Sequence, residues 1–290
     1  MFNGALTALA TPFRDGEVDA PALRDLIEWQ IQSGIDGLVP CGSTGESATL
    51  THAEHDSVIK LTIEQTRKRV PVIAGTGSNS TAEAIRLTAA AREMGADGAL
   101  LLSPYYNKPT QDGIFKHYKT IAASVDLPIF VYNIPGRTAS NILPETVARL
   151  AEIKNIVGIK EASASMDQSS DILKLCGDRI TIFSGDDALT LPLVALGAKG
   201  VISTCSNIVP REMHDLAAAA LSGDFAKARE IHYKLLPMMR ALFVETNPIP
   251  IKQALAFMGK CANELRMPLV PMTAGPADKL RIAMKELRLV

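Results

Sequence analysis

Pro128-Ile129-Phe130-Val131-Tyr132-Asn133-Ile134-Pro135-Gly136-Arg137, followed one strand–helix unit later by Ile156-Val157-Gly158-Ile159-Lys160-Glu161, is the stretch that decides the fold. Each segment opens on a short apolar run and closes on polar groups. Neither run alternates strictly between apolar and polar residues, the pattern of a strand covered on both faces in a parallel sheet. Runs of this kind recur along the chain at Gly4–Ala10, Gly37–Cys41, Pro71–Ala74, Gly98–Leu102, Pro128–Tyr132, Ile156–Lys160, Ile180–Ser184 and Gly200–Ser203. Segments of helical period lie between them, among them Ala20–Ser33, Ala53–Arg67, Ala82–Met94 and Gly113–Val125. Gly34, Gly95, Gly177 and Gly197 stand just before the next strand, where a helix stop is expected.

Eight strand–helix repeats in about 220 residues fit an α/β chain folded as a (β/α)8 TIM barrel. An open, doubly wound sheet is the alternative, but such a sheet usually carries a glycine-rich phosphate loop after its first strand. Here the first strand runs into Thr11-Pro12-Phe13-Arg14-Asp15-Gly16, a turn. Gly75-Thr76-Gly77-Ser78-Asn79-Ser80 lacks the third glycine of a nucleotide fingerprint and reads as a strand-to-helix loop capped by Ser or Thr. After about Pro210 the strand signals stop. Glu212–Leu221, Asp224–Val244, Ile249–Met258 and Pro276–Leu287 read as helices, so a barrel over 1–223 and a helical C-terminal domain over 224–290 are expected. Exposed apolar faces on such an extension favour assembly into oligomers.

Bulk properties narrow the function. The 290 residues carry 30 Lys plus Arg against 31 Asp plus Glu, a formal charge of −1, and no basic block. Nucleic acid and anionic membranes are therefore poor partners. No apolar stretch is long enough to span a bilayer. Met1-Phe2-Asn3-Gly4 lacks a charged leader and apolar core, so a cytoplasmic location is expected. The four cysteines, Cys41, Cys176, Cys205 and Cys261, form no Cys-x-x-Cys pair and read as buried, reduced thiols.

Barrel enzymes build their sites at the C-terminal ends of the strands. Gathered there are Gly42-Ser43-Thr44-Gly45-Glu46-Ser47, Ser103-Pro104-Tyr105-Tyr106, Tyr132 with Arg137, Lys160, Gly185-Asp186-Asp187, and Ile202-Ser203. The set offers hydroxyls, an amine, a guanidinium and backbone amides. It lacks the carboxylate and histidine cluster that a divalent metal needs, and no cofactor is expected. A lysine at a buried strand end gives up charge through desolvation unless it finds a partner, and a neutral lysine amine attacks carbonyls to form a Schiff base. Tyr132 can pass protons to and from a carbinolamine. Ser43 and Thr44, with the amides freed by Gly42 and Gly45, suit a small carboxylate, and Arg137 suits a second one held in a bidentate fork. Taken singly, a strand-end lysine is more often a salt-bridged rim residue than a nucleophile, a tyrosine after a strand is usually packing, and Gly-Ser-Thr-Gly is usually a turn. Their joint placement on successive strand ends is what points to chemistry.

Together, Gly42-Ser43-Thr44-Gly45-Glu46, Tyr132-Asn133-Ile134-Pro135-Gly136-Arg137 and Gly158-Ile159-Lys160-Glu161 resemble the dihydrodipicolinate synthase family of pyruvate-dependent class I aldolases. The similarity runs from Thr11-Pro12-Phe13 through Gly197-Ala198-Lys199-Gly200-Val201-Ile202-Ser203 to Asn247-Pro248-Ile249-Pro250. The resemblance implies an imine between pyruvate and Lys160, then an enamine that attacks aspartate semialdehyde, with ring closure to 4-hydroxy-tetrahydrodipicolinate. It also implies that Tyr132 is the proton shuttle, linked through Ser43 to a Tyr106 that reaches into a neighbouring subunit, so that the chain acts as a dimer or a dimer of dimers. Thr44 would bind the pyruvate carboxylate, and Gly185 and Ile202 would contribute backbone groups beside the imine. Family synthases usually carry threonine at the position of Ser43, and serine keeps the hydroxyl while losing the β-branch that restricts χ1. A second cluster, Ser47, Ala48, His52, His55, Asn79, Glu83 and Tyr105, resembles the lysine feedback site of these enzymes. The alternative for His52 and His55 is an exposed pair at i, i+3 or a weak metal site. N-acetylneuraminate and sugar-acid lyases of the same superfamily share Gly-Ser-Thr-Gly-Glu, so a sugar-acid lyase is an alternative, and a silent sensor of pyruvate or lysine is another. Gly136-Arg137-Thr138 favours the synthase, because the arginine suits a short aldehyde bearing its own carboxylate.

Overall fold

A computed structural model describes residues 2–290. Its barrel alternates β1 (Gly4–Ala8), α1 (Ala20–Gln32), β2 (Gly37–Val39), α2 (His52–Thr66), β3 (Ile73–Gly75), α3 (Thr81–Met94), β4 (Gly98–Leu102), α4 (Gln111–Ser124), β5 (Ile129–Asn133), α5 (Pro144–Leu150), β6 (Ile156–Glu161), α6 (Met166–Cys176), β7 (Thr181–Ser184), α7 (Thr190–Leu196), β8 (Gly200–Ser203) and α8 (Pro210–Leu221). The strands pair in parallel in the order β2-β1-β8-β7-β6-β5-β4-β3. A bridge between Leu38 and Val72 joins the two ends, with Leu38 N donating to Pro71 O at 3.0 Å. Pro71 has no N–H to give a ladder, and β3 starts at Ile73, two residues later than the apolar run. A two-residue hairpin, Phe13–Arg14 with Glu17–Val18, occupies the turn after β1.

Helix starts follow local chemistry. Thr51 and Glu54 make a reciprocal capping box at α2, so that helix begins at His52. Asp19, Ser80, Thr110 and Ser165 each accept an amide proton at the starts of α1, α3, α4 and α6. Gly95 ends α3 in the left-handed region at φ +92°.

The period of two along each strand sorts side chains between inside and outside. On β5, Ile129 and Val131 pack outward with Ile121, Val147 and Ile172. Phe130 and Tyr132 join Leu6, Val39, Ile73, Leu100, Phe183 and Ile202 inside the barrel. Phe2 meets Phe130 edge-on at 5.0 Å. A Cβ on Gly158 would come within 2.5 Å of the Phe130 ring, so the inward position before Lys160 on β6 must be glycine. Beyond the barrel, α9 (Phe225–Ala241), α10 (Ile249–Phe257) and α11 (Ala274–Glu286) close the chain. Leu235, Met238, Leu255, Leu280 and Met284 belong to the same apolar cluster as Leu23, Ile27 and Leu216 of α1 and α8. Among the described residues, no helix is long and apolar enough to cross a membrane.

Candidate active site

The ladder between β5 and β6 sets Tyr132 beside Lys160, and the next ladder sets Lys160 beside Phe183. Lys160 is 4% exposed, and its Nζ stands 4.4 Å from the centroid of the Tyr132 ring. Burial pushes its pKa from 10.5 down to about 8; the Asp187 carboxylate opposes that fall and the Arg137 guanidinium adds to it. A depression of this size raises the neutral fraction near neutrality roughly 300-fold over an ordinary lysine. Tyr132 is buried as well. Desolvation pushes its phenol up, and Arg137 pulls it partly back, so it stays protonated at neutral pH.

Gly185 follows β7, and its N–H donates to Glu161 O at 2.7 Å. A Cβ there would fall 2.6 Å from Ala162 Cβ and 3.1 Å from both Glu161 O and Lys160 Cε, so the end of β6 leaves room only for glycine and the lysine stem passes close by. Ile202 on β8 is fully buried in the inner apolar cluster that includes Tyr132. Asp187 is buried. Its Oδ2 accepts from Thr204 N at 3.1 Å and Cys205 N at 2.9 Å, while Oδ1 has no partner among the described residues. Burial raises this carboxyl to about 6.

The turn carrying Ser43 and Thr44 is bracketed by two non-glycine residues in the left-handed region, Cys41 at φ +56° and Glu46 at φ +53°. Thr11 Oγ1 donates to Gly45 O at 2.8 Å. Thr44 is buried, and its Oγ1 accepts from Asn247 Nδ2 at 3.0 Å. The carbonyl of the same Asn247 accepts from Arg137 Nη2 at 2.7 Å. Asn247 therefore ties together the two groups expected to hold carboxylates.

A cavity of about 460 Å³ opens above Tyr132 and is lined by Ser43, Tyr132 and Arg137. It continues to Ser47, Ala48, His52, His55, Glu83 and Tyr105, so the two expected clusters share one space. Lys160 stands over the Tyr132 ring, and neither Lys160 nor Thr44, Gly185 or Ile202 forms part of the cavity wall. Tyr106 is also outside it, 88% exposed and in the left-handed region at φ +72°. Within one chain, then, Tyr106 is not brought to Ser43 and Tyr132.

In the second cluster, His52 Nε2 donates to Glu83 Oε1 at 2.9 Å, and Ser78 Oγ also bonds that carboxylate. The Ser78 bond, then His52, hold Glu83 below the usual carboxylate range. Asn79 Nδ2 donates to Tyr105 O at 3.2 Å. His55 is buried, with Nε2 donating to Gly75 O at 2.8 Å, and burial lowers its pKa. The two histidines are thus not an exposed pair: His52 faces solvent while His55 ties α2 to the end of β3. Among the described residues, no group of three or more His, Cys, Asp or Glu side chains gathers as a metal site would require.

Three participants were not expected from sequence. The sequence places Asp187 on the rim without a role and Asn247 within a motif, and gives Lys252 no role. A lone lysine within the apolar segment Ile249-Pro250-Ile251-Lys252 is the one signal that marks a buried charge there.

The model of the dihydrodipicolinate synthetase family matches residues 1–287. The chain is 59% identical over 290 residues to the 4-hydroxy-tetrahydrodipicolinate synthase of Syntrophus aciditrophicus (strain SB), covering 100% of both. It is similar to the chloride-inhibited dihydrodipicolinate synthase of Acinetobacter baumannii complexed with pyruvate, at 44% identity and a TM-score of 0.99, covering 100% of each chain. It is also similar to the synthase of Cyanidioschyzon merolae with lysine bound, at 41% identity and a TM-score of 0.97, covering 100% of this chain and 99% of that one.

Proposed function

The chain belongs to the dihydrodipicolinate synthetase family, and on that premise we propose which residues perform the family's reaction. The enzyme is a lyase that condenses pyruvate with aspartate semialdehyde to 4-hydroxy-tetrahydrodipicolinate in lysine and diaminopimelate biosynthesis. In our assignment the neutral Lys160 amine attacks the pyruvate carbonyl, and the carbinolamine loses water to give an imine. Loss of a proton from the methyl carbon gives the enamine. That carbon attacks the aldehyde carbon of the semialdehyde, whose oxygen takes up a proton. The semialdehyde's own amine then attacks the imine carbon, closing the ring and releasing the Lys160 amine. Tyr132 relays the protons, with Ser43 on the wall of the same cavity. Thr44 holds the pyruvate carboxylate, Arg137 grips the carboxylate of the semialdehyde, and Gly185 and Ile202 flank the imine.

One observation carries the assignment: a buried, pKa-depressed lysine stands 4.4 Å from the ring of a buried tyrosine on the neighbouring strand. The test is borohydride reduction in the presence of pyruvate, followed by peptide mass spectrometry. A stable adduct on Lys160 is expected, and an active enzyme that leaves Lys160 unmodified removes the Schiff-base assignment. Running aspartate semialdehyde and sugar aldehydes side by side checks the acceptor.

Tyr106 supports an oligomeric site. It is exposed and lies outside the cavity of its own chain, and we assign it to the proton relay of a second copy in a dimer or dimer of dimers. Sedimentation together with Tyr106→Phe kinetics tests this; a fully active monomer excludes it. We also assign Ser47, Ala48, His52, His55, Asn79, Glu83 and Tyr105 to a lysine effector site, with Glu83 as the partner of the ligand ammonium. Glu83→Gln should abolish lysine inhibition while sparing turnover, and inhibition of unchanged strength would remove the assignment. The division into a barrel over 1–223 and a helical domain over 224–290 is proposed at the turn between α8 and α9.

A further inference from the structure

The side chain of Lys252 is fully buried on α10, far along the chain from every residue with an assigned role in the barrel. Its Nζ donates to Thr11 O at 2.6 Å and to Glu46 Oε1 at 3.1 Å, and it stands 4.3 Å over the Phe13 ring. The other oxygen of Glu46 accepts from Arg266 N at 3.1 Å. Both oxygens of this buried carboxylate are therefore held by the C-terminal extension. Glu46 sits in the left-handed region directly after Gly45, whose carbonyl is held by Thr11 Oγ1. The same ammonium thus fastens the C-terminal side of the Ser43–Thr44 turn twice, gripping Glu46 directly and, through the Thr11 carbonyl, the residue whose hydroxyl holds Gly45.

A buried ion pair is a poor source of stability, because desolvation of the two charges cancels most of their attraction; its best-attested use is to fix register. A turn strained at both ends needs such a constraint. The ammonium is fully buried and its hydrogen bonds go to Thr11 O and Glu46 Oε1, so it is committed to the fold around the turn. We propose that Lys252, through its buried pair with Glu46, is a positioning residue that holds the Ser43–Thr44 turn in place to receive the carboxylate of the 2-oxo acid. This rests on the reading that the turn binds that carboxylate.

The experiment measures half-saturating pyruvate for borohydride-trapped adduct, kcat, KM for the aldehyde and the melting temperature. The variants are the double Glu46→Gln/Lys252→Met, the charge-keeping Glu46→Asp and Lys252→Arg, and Thr44→Val. For the double variant, half-saturating pyruvate should rise by about tenfold or more, while adduct at saturation and KM for the aldehyde stay near wild type. Glu46→Asp, which keeps the charge but shortens the reach, should give a smaller rise in the same constant, and Lys252→Arg should lie between it and wild type. Wild-type pyruvate saturation in the folded variants overturns the proposal, as does a loss that only follows the unfolded fraction. If the double variant fails to fold, Glu46→Asp and Lys252→Arg decide on the same readout. Thr44→Val separates the premise from the proposal. If it leaves pyruvate saturation unchanged, the carboxylate reading fails; if it raises the constant while the Glu46 and Lys252 variants do not, only the positioning role fails.

Discussion

Asn247 Nδ2 donates to Thr44 Oγ1 at 3.0 Å across a sequence separation of 203 residues. A hydroxyl that accepts from an amide keeps its own proton free to donate elsewhere. The bond therefore turns Thr44 into a donor toward an anion, the polarity a substrate carboxylate requires. Asn247→Asp reverses it, since a carboxylate accepts the Thr44 proton and adds a repelling charge. The expected result is a rise in KM for pyruvate of about tenfold or more, larger than for Asn247→Ala. Steady-state kinetics with both variants checks this, and an Asp variant that binds pyruvate as well as the Ala variant would remove the polarity argument.

Asp187 acts on Lys160 from the other direction. Its charge raises the lysine pKa that burial depresses. Asp187→Asn keeps an oxygen to accept from Thr204 N and Cys205 N but deletes the charge. The Lys160 pKa should then fall below about 8, and the acid limb of adduct formation should move to lower pH. The pH profile of borohydride trapping, each variant scaled to its own plateau, reads the shift. A limb that stays in place would mean that the two groups do not interact.

How much of this was legible in the sequence depends on the range of the interaction. The neighbouring positions of Tyr132 and Lys160 follow from the length of one strand–helix unit, so apolar runs alone were enough. The register irregularity between Ile129 and Phe130 did not show, because it exists only once β5 and β6 pair. The short helix Pro135–Thr138 and α5 went unmarked because each lacks enough turns to display a period. Asn247 and Lys252 meet the Ser43–Thr44 turn from about 200 residues away, and no local pattern encodes such a contact. The spacing of His52 and His55 makes them neighbours on one side of α2, but which of the two turns inward depends on the packing of α2 against β3.

Lys160 should also be a burden on stability. Its folded pKa of about 8 lies below the ordinary 10.5, so the folded state holds the proton less tightly than the unfolded chain does. Below pH 8 both states are protonated, and the folded state bears the full cost of burying the charge, about 3 kcal/mol for a shift of this size. As pH rises from 8 toward 10.5 the cost fades. Lys160→Met should therefore be inactive yet more stable than wild type near pH 7, with the gap narrowing toward pH 10. Urea unfolding of both proteins without pyruvate, at the two pH values, measures it. A variant less stable than wild type at pH 7 would contradict the buried-charge account.

Gly185 gives a steric test of the same amine. A methyl group at this position would stand 2.6 Å from Ala162 Cβ and 3.1 Å from Lys160 Cε. Glu161 O of the backbone also lies at 3.1 Å and Ala162 Cβ is fixed to its own backbone, so the end of β6 must shift along with the lysine stem. Overpacking of this kind costs about 1–3 kcal/mol, which leaves a folded protein with a displaced Nζ. Gly185→Ala should therefore lower the rate of adduct formation at saturating pyruvate by about tenfold or more, since a misplacement of order 1 Å costs more than small changes in affinity do. Time-resolved trapping beside a thermal melt distinguishes the outcomes. A slow adduct in a protein with a nearly unchanged melt supports the contact, whereas a wild-type trapping rate would mean that the Lys160 stem tolerates the added methyl without losing its alignment.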